Sequence, residues 1–205
     1  MKSSSDQPAP GKCGRPRTFD EEQALDCAMR VFWEKGYEGS SLPELTKAMG
    51  MNRPSLYAVF GNKEQLFRRA VEHYEATRGP QRDAALAEPR ARAVVERLLR
   101  MAADMQTEPD KPHGCLGING ALACGDEAAP LRDYLVERRA LGYELLRQRL
   151  ERARDENDLP AHADPAKLAR FFVTVSQGMA VQAAGGAGRA ELHEVVDAAL
   201  AAWPV

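Results

Sequence analysis

The stretch Ser41–Lys63, SLPELTKAMGMNRPSLYAVFGNK, decides how this chain is read. Ser41 and Glu44 have the spacing of a capping box, in which the hydroxyl satisfies one orphan backbone amide and the carboxylate reaches back to another. Leu42, Leu45, Ala48 and Met49 then share one face of a short helix. Gly50 supplies the backbone freedom for a tight turn, and Met51 can plug the angle between two helices. Asn52 is a good N-cap for a second helix, and Pro54 is tolerated because it lies in that helix's first turn. Leu56 and Phe60 point inward, four apart, and leave Arg53, Ser55 and Tyr57 outside. Two short helices joined by a glycine turn, the second exposing Asn, Arg, Ser and Tyr, make a DNA-reading helix-turn-helix. The plainer alternative is an ordinary helical hairpin.

On the N-terminal side, a first helix is predicted from Asp20. Phe19 and Ala24 are placed as a hydrophobic staple, Gln23 as capping partner, and Leu25, Ala28, Val31 and Phe32 as the buried stripe. Gly36 is a left-handed C-cap followed by Tyr37. On the C-terminal side, Asn62 opens a helix running through Leu66, Phe67, Ala70, Val71 and Tyr74 until Gly79-Pro80 stops it.

These residues carry a resemblance. From Gly14 to about His73 the chain resembles the N-terminal domain of the TetR family of bacterial one-component regulators. It does so through ALDCAMRVFWEKGYEGSS, through LPELTKAMGMNRPSLYAVFGNKEQLF, and above all through Leu56-Tyr57, Phe60 and Lys63–Leu66. The pattern covers about a third of the chain and needs several separated positions to agree. Asn52-Arg53-Pro54 stands where many members carry small residues, so no operator preference transfers, and Pro43 is compatible with the fold without being demanded by it.

The remainder is predicted all-helical. From Gln81 to Glu88 the pattern is weak; Pro89 then starts a helix with Val94, Val95, Leu98, Ala102 and Met105 apolar, and an arginine-rich outer face that reads as solvated. HGCLGINGALACG, His113–Gly125, reads as a glycine-weakened helix. No strand precedes it and no Lys-Ser or Lys-Thr follows, which argues against a phosphate loop. Ala129–Asn157 is a long helix with Leu131, Leu135, Leu141, Leu145 and Leu150 as its buried side. Asp164-Pro165 starts the next, with Leu168, Phe171, Phe172, Val175 and Met179 apolar and Gly185-Gly186 at its end; the last spans about Ala190–Trp203.

The chain has 205 residues, room for one large domain or a head joined to a body, and its net charge of −2 confines any nucleic-acid surface to a local patch. Met1–Pro10 is Ser/Pro/Gln-rich and reads as neither signal peptide nor anchor, and no apolar run approaches a membrane span. A cytoplasmic protein with four reduced cysteines is expected. His73, His113, His162 and His193 form no metal-ligand pair, and there is no nucleophile elbow or dinucleotide fingerprint, so neither an enzyme nor a cofactor is expected. A helical protein-interaction adaptor is the remaining rival, and it requires none of Asn52, Arg53, Ser55, Tyr57 and Lys63.

The resemblance therefore implies an all-α fold: a three-helix helix-turn-helix head over 19–78, preceded by a basic arm over 1–18 and followed by a ligand-binding and dimerisation body over 79–205. It implies that Asn52, Arg53 and Ser55 meet bases, that Ser41, Tyr57 and Lys63 hold phosphates, and that Arg15 and Arg17 of the arm reach the minor groove or phosphates of a pseudo-palindromic duplex. It implies a homodimer through the last two helices, with Leu192, Val196 and Leu200 at the interface and Ala180, Ala183 and Ala184 allowing close approach. It implies a mostly apolar effector pocket, for which Met101, Met105, Leu116, Tyr134, Phe171, Val175 and Met179 are the candidate walls. The expected function is a repressor released by a small molecule. The alternative is a thiol- or electrophile-sensing repressor using Cys115 and Cys124, nine apart and flanking Gly117 and Gly120.

Overall fold

The computed structural model describes residues 20–122 and 124–204, and every described element is helical. Because the expected arm lies outside these residues, so do Arg15, Arg17 and the Phe19 half of the staple. The head is built from α1 (Glu21–Gly39), α2 (Leu42–Ala48), α3 (Arg53–Phe60) and α4 (Lys63–Ala76). Local chemistry starts each of them. Asp20, Ser41, Asn52 and Asn62 accept at their side chains from backbone amides three residues on, and Ser41 and Asn62 complete full capping boxes with Glu44 and Gln65.

The body is α5 (Gly79–Leu86), α6 (Ala91–Gln106), α7 (Leu116–Asn119), α8 (Ala129–Asp155), α9 (Pro165–Ala184) and α10 (Arg189–Ala201), with a 3₁₀ turn over Asp126–Ala128. Two sequence expectations change here. Gly79-Pro80 does not merely end α4; it opens α5, because a proline in the first helical turn removes only an amide that would be unpaired anyway. The segment His113–Gly125 is not a weak long helix but a single turn, Leu116–Asn119, between irregular stretches.

Two apolar clusters organise the molecule. The first joins α1–α4 around Phe32, Trp33, Leu56 and Phe67, and it also takes in Leu116 and Ala121 of the α7 segment and Leu131 and Leu135 of α8. The second lies between α6, α8, α9 and α10 around Val95, Leu99, Leu146, Phe172, Leu192 and Val196. Helix α8 thus serves both clusters, one with each end.

Its middle departs from the expected pattern. Leu141 and Leu145 are exposed, at 52% and 37%, whereas the inward stripe passes from Leu135 through the half-buried Arg138 and Arg139 to Leu146. The buried Arg149 on the same stripe donates to the carbonyls of Leu86, Glu88 and Pro89, closing the α5–α6 turn.

Leu192, Val196 and Leu200 are at most 5% exposed, so they are core of the single chain and not a surface for a second copy. They pack α10 inward against α6 and α9. The apolar residues these last helices leave outside are Phe171 and Val181 of α9 and Val195 of α10.

Candidate nucleic-acid interface and effector cavity

The recognition helix α3 is held from beneath. Leu56 and Phe60 are fully buried, while the Arg69 guanidinium of α4 lies 4.7 Å from the Phe60 ring centroid and donates to the Val59 carbonyl at 3.3 Å. Arg69 also pairs with Glu21, so one side chain ties the end of α3 to the start of α1. Helix α2 is clamped to α1 by Lys35 Nζ, 2.5 Å from Glu44 Oε1. The hydrogen bond from Lys35, followed by those from the Ser41 amide and hydroxyl, holds the Glu44 carboxyl down at about 2.

Within this frame the predicted contacts separate into two kinds. Arg53 and Tyr57 are exposed and Ser55 is half-buried, on the outer side of α3. Asn52 and Ser41 are exposed as well, and each also serves as a helix cap. Asn52 Oδ1 accepts from Ser55 N at 2.9 Å, and Ser41 gives both its amide and its hydroxyl to Glu44 Oε2, at 3.0 and 2.8 Å. Asn52 holds α3 in place through one lone pair of Oδ1, which leaves the second lone pair and the amide N–H donors for a base.

Lys63, in the first turn of α4, lies with Nζ 4.4 Å from the Tyr37 ring centroid, and partial burial lowers its pKa. Its ammonium group stands beside the N-terminal turn of α4, a pairing that suits a phosphate. Lys47 was not singled out from the sequence. It is exposed at the end of α2 and borders, with Thr46, Gly50 and Arg53, a shallow concavity at the turn. A lone lysine on a seven-residue helix gives no periodic signal; only its neighbourhood in space marks it.

The body holds a cavity of about 260 Å³ between α5, α6, α8 and α9. Leu98, Leu99, Met101, Leu146 and Phe172 form much of its apolar wall, and Arg82, Arg139, Ser176 and Gln177 are its polar members. Of the seven expected wall residues only Met101 is among them. Leu116 and Tyr134 belong to the head-side cluster because α7 docks on α1 and α4. Met179 is buried in the body core, Val175 packs against that core, and Phe171 faces outward. Met105 lies with Met101 in a separate surface groove beside α5.

The α7 segment joins the two regions. Tyr37 N donates to Gly120 O at 2.7 Å and Gly125 N to Glu38 Oε1 at 2.7 Å on the head side. On the body side, Gly114 N donates to Gln106 O at 2.8 Å and Arg139 Nη1 to Gly117 O at 2.8 Å. Cys115 lies against the hydroxyl of buried Tyr74, whose pKa is pushed well up, chiefly by burial and then by the neighbouring thiol. Cys124 Sγ instead faces the Ala128 carbonyl at 3.7 Å, and both cysteines are free thiols.

Residues 24–70 match the family of bacterial regulatory proteins, tetR family, and residues 87–202 match a tetracyclin repressor-like C-terminal domain. The chain belongs to the TetR family. It is similar to the HTH-type transcriptional repressor ComR of Escherichia coli (strain K12), 34% identical over 193 residues that make up 93% of this chain and 92% of ComR. The HTH-type transcriptional repressor BdcR of the same strain is 47% identical over 64 residues, 31% of this chain and 32% of BdcR. Among solved structures, a cysteine variant of the TetR family regulator CifR in complex with 26 bp double-strand operator DNA is 44% identical. It superposes with a TM-score of 0.88 over 93% of this chain and 100% of that one.

TetR membership makes the chain a helix-turn-helix transcription regulator and not an enzyme, which agrees with the sequence reading. No helix of the described residues is long and apolar enough to cross a membrane, and no group of three or more His, Cys, Asp and Glu that could hold a metal occurs among them.

Proposed function

We propose that this TetR-family chain is a homodimeric repressor that grips a pseudo-palindromic operator through two α3 helices and is released when a small effector fills the α5–α6–α8–α9 cavity. The carrying observation is the arrangement of α3: Leu56 and Phe60 lock it to the head, while Arg53, Ser55 and Tyr57 are left towards solvent. ComR and BdcR bear the name of repressor, and the CifR variant is held on operator DNA, in support of this reading. Arg53 is the base reader; Ser55 joins it in the groove, and Tyr57, Lys63 and Lys47 contact phosphates. The arm, with Arg15 and Arg17, adds contacts to the minor groove or phosphates. The head covers residues 19–78 and the body 79–205, in a protein of the cytoplasm.

The second copy sits on the outer faces of α9 and α10. Phe171, Thr174, Gly178 and Val181 recur at helical spacing along α9, all exposed, and Val195 and Ala198 continue the patch on α10. A Cβ added at Gly178 would meet nothing within 4 Å, so the position leaves space for a partner helix.

A thiol switch is the second reading, favoured by the contact of Cys115 with Tyr74 of α4. An adduct there would push α4, which frames the recognition helix. Disulfide formation between Cys115 and Cys124 has less support, since each thiol is engaged with a different partner.

The test is selection of duplexes from a random pool by the purified full chain, followed by fluorescence anisotropy against salt. Enrichment of a two-fold symmetric site, with an affinity that falls as salt rises, is expected. A pool without any enriched symmetric site would refute the operator reading.

A further inference from the structure

The effector cavity has a charge character that its apolar walls conceal. Two guanidinium groups, Arg82 and Arg139, border it, and no carboxylate or histidine is among its lining residues. Arg82 has a partner outside, the exposed Asp83, with Nη2 3.0 Å from Oδ1. Arg139 has none: its one hydrogen bond among the described residues runs to the backbone carbonyl of Gly117, and no carboxylate pairs with it. Burial lowers its pKa, against an opposing pull from the neighbouring Cys115 thiol, as expected of a cation that has lost water without gaining a carboxylate. Its neighbours on α8 are differently placed, because Arg138 is paired with Glu75 and Arg147 with Glu144 and Glu151. A partly desolvated guanidinium on an otherwise apolar wall is a ready receptor for a bidentate oxyanion.

We propose that the cavity binds a small amphipathic monocarboxylate, its carboxylate on Arg139 with Arg82 as a second cation and its apolar body between Leu98, Leu146 and Phe172. This assignment rests on the reading of the cavity as the effector site. Its volume of about 260 Å³, at roughly 30 Å³ for each water-sized unit of liquid, admits a small ligand on the order of nine such units. Gly142 supports the same conclusion. It sits in the middle of α8 on the solvent-exposed rim of the cavity, and a Cβ there would meet nothing within 4 Å. A mid-helix glycine lowers helix stability relative to alanine, so its use here keeps space open. Arg139 also grips Gly117 of the α7 segment, so drawing its guanidinium towards a carboxylate acts directly on the link to the head.

Calorimetric titration of the full-length protein with 4-methylbenzoate, neutral 4-methylbenzamide and cationic 4-methylbenzylamine tests the class of ligand, with octanoate as an aliphatic acid. The acids should bind at least tenfold more tightly than the amide, and the amine should not bind. Arg139→Gln should abolish the preference for acid over amide while leaving the amide unchanged, and Arg139→Lys should restore part of it. Should Arg139→Gln fail to fold, Gly142→Leu fills the cavity from a position with open space and should remove binding of all the probes. An amide or amine that binds as well as the acid overturns the proposal, as does an acid preference that survives Arg139→Gln, or no binding by any probe. Operator affinity measured in parallel separates the two readings. Neutral compounds that bind and release DNA would refute the anion class alone, whereas acids that bind without changing operator affinity would refute effector release alone.

Discussion

Asn52 is both the N-cap of α3 and an expected base contact, and substituting it separates the two roles. As an N-cap it satisfies one amide of an eight-residue helix that buries only two side chains, Leu56 and Phe60. Asn52→Ala should therefore lower stability by about 1 kcal/mol, the usual value of such a cap. For a chain of 205 residues that corresponds to a fall in Tm of roughly 2–4 °C. Asn52→Ser replaces one good cap by another and should leave Tm unchanged. The same pair is then compared for operator binding. If Asn52 acts only as a cap, Asn52→Ser binds like the native protein and prefers the same bases. If it reads adenine through its amide, Asn52→Ser should lose about 1–3 kcal/mol at one position of each half-site while Tm stays level. Selective loss of one base preference in Asn52→Ser, with an unaltered Tm in Asn52→Ala, would refute the cap assignment. The measurements are differential scanning fluorimetry and anisotropy on a panel of single-base operator variants.

Charge on the two sides of α10 should have opposite consequences: Val196→Glu buries an unpaired carboxylate and should abolish folding, whereas Val195→Glu should keep the helical circular dichroism and give monomers by sedimentation. Gly120→Ala should cost about 1–3 kcal/mol by overpacking, since its Cβ would lie 2.6 Å from Leu116 O and 3.1 Å from Phe67 Cζ, while Gly117→Ala, with only Cys115 Sγ at 3.8 Å, should be silent in thermal melts. Lys63→Ala should weaken binding to all duplexes alike and reduce the slope of log K against log salt by about one. Glu44, whose folded pKa is depressed to about 2, stabilises the head fully above pH 4.5 and loses that contribution as pH falls towards 2, so Glu44→Gln should remove this limb from acid unfolding curves.

The caps were legible because they are local. Asp20, Ser41, Asn52, Asn62 and Asp164 each act on amides two or three residues on, and no distant partner can change that chemistry. Burial on α8 was not legible, since its inward stripe is occupied at midlength by Arg138 and Arg139 while Leu141 and Leu145 are largely exposed. A pattern search follows the leucines and turns the helix by about a quarter of its circumference. The same stretch hides the cavity: the Arg139 guanidinium and the missing side chain of Gly142 border it, and neither reads as a pocket in sequence. The glycines of the α7 segment were misread for a related reason. Their composition suggests a weak helix, but Gly120 is there because Phe67 and Leu116 come too close for a side chain.

That close fit changes how the link between cavity and head must operate. A loose segment would transmit little, because an effector could shift it without disturbing α1 or α4. The α7 segment instead holds the head by two backbone-donor hydrogen bonds, Tyr37 to Gly120 and Gly125 to Glu38, and holds the body by one from the Gly114 amide to Gln106 and one from the Arg139 guanidinium to Gly117. At a net worth of about 0.5–1.5 kcal/mol each, losing the head-side pair gives roughly 1–3 kcal/mol. That falls in the ordinary range of coupling between two sites, a change of about 5–150-fold in affinity. It is well short of the roughly 5.5 kcal/mol needed to carry a two-state equilibrium from 1:99 to 99:1. On the proposed effector reading, release through this segment would therefore be graded in a single chain. A steep response requires both copies of a dimer to change together on one operator, so that each head's loss is counted twice. The outer face of α9 and α10 is then as much a part of the switch as the cavity.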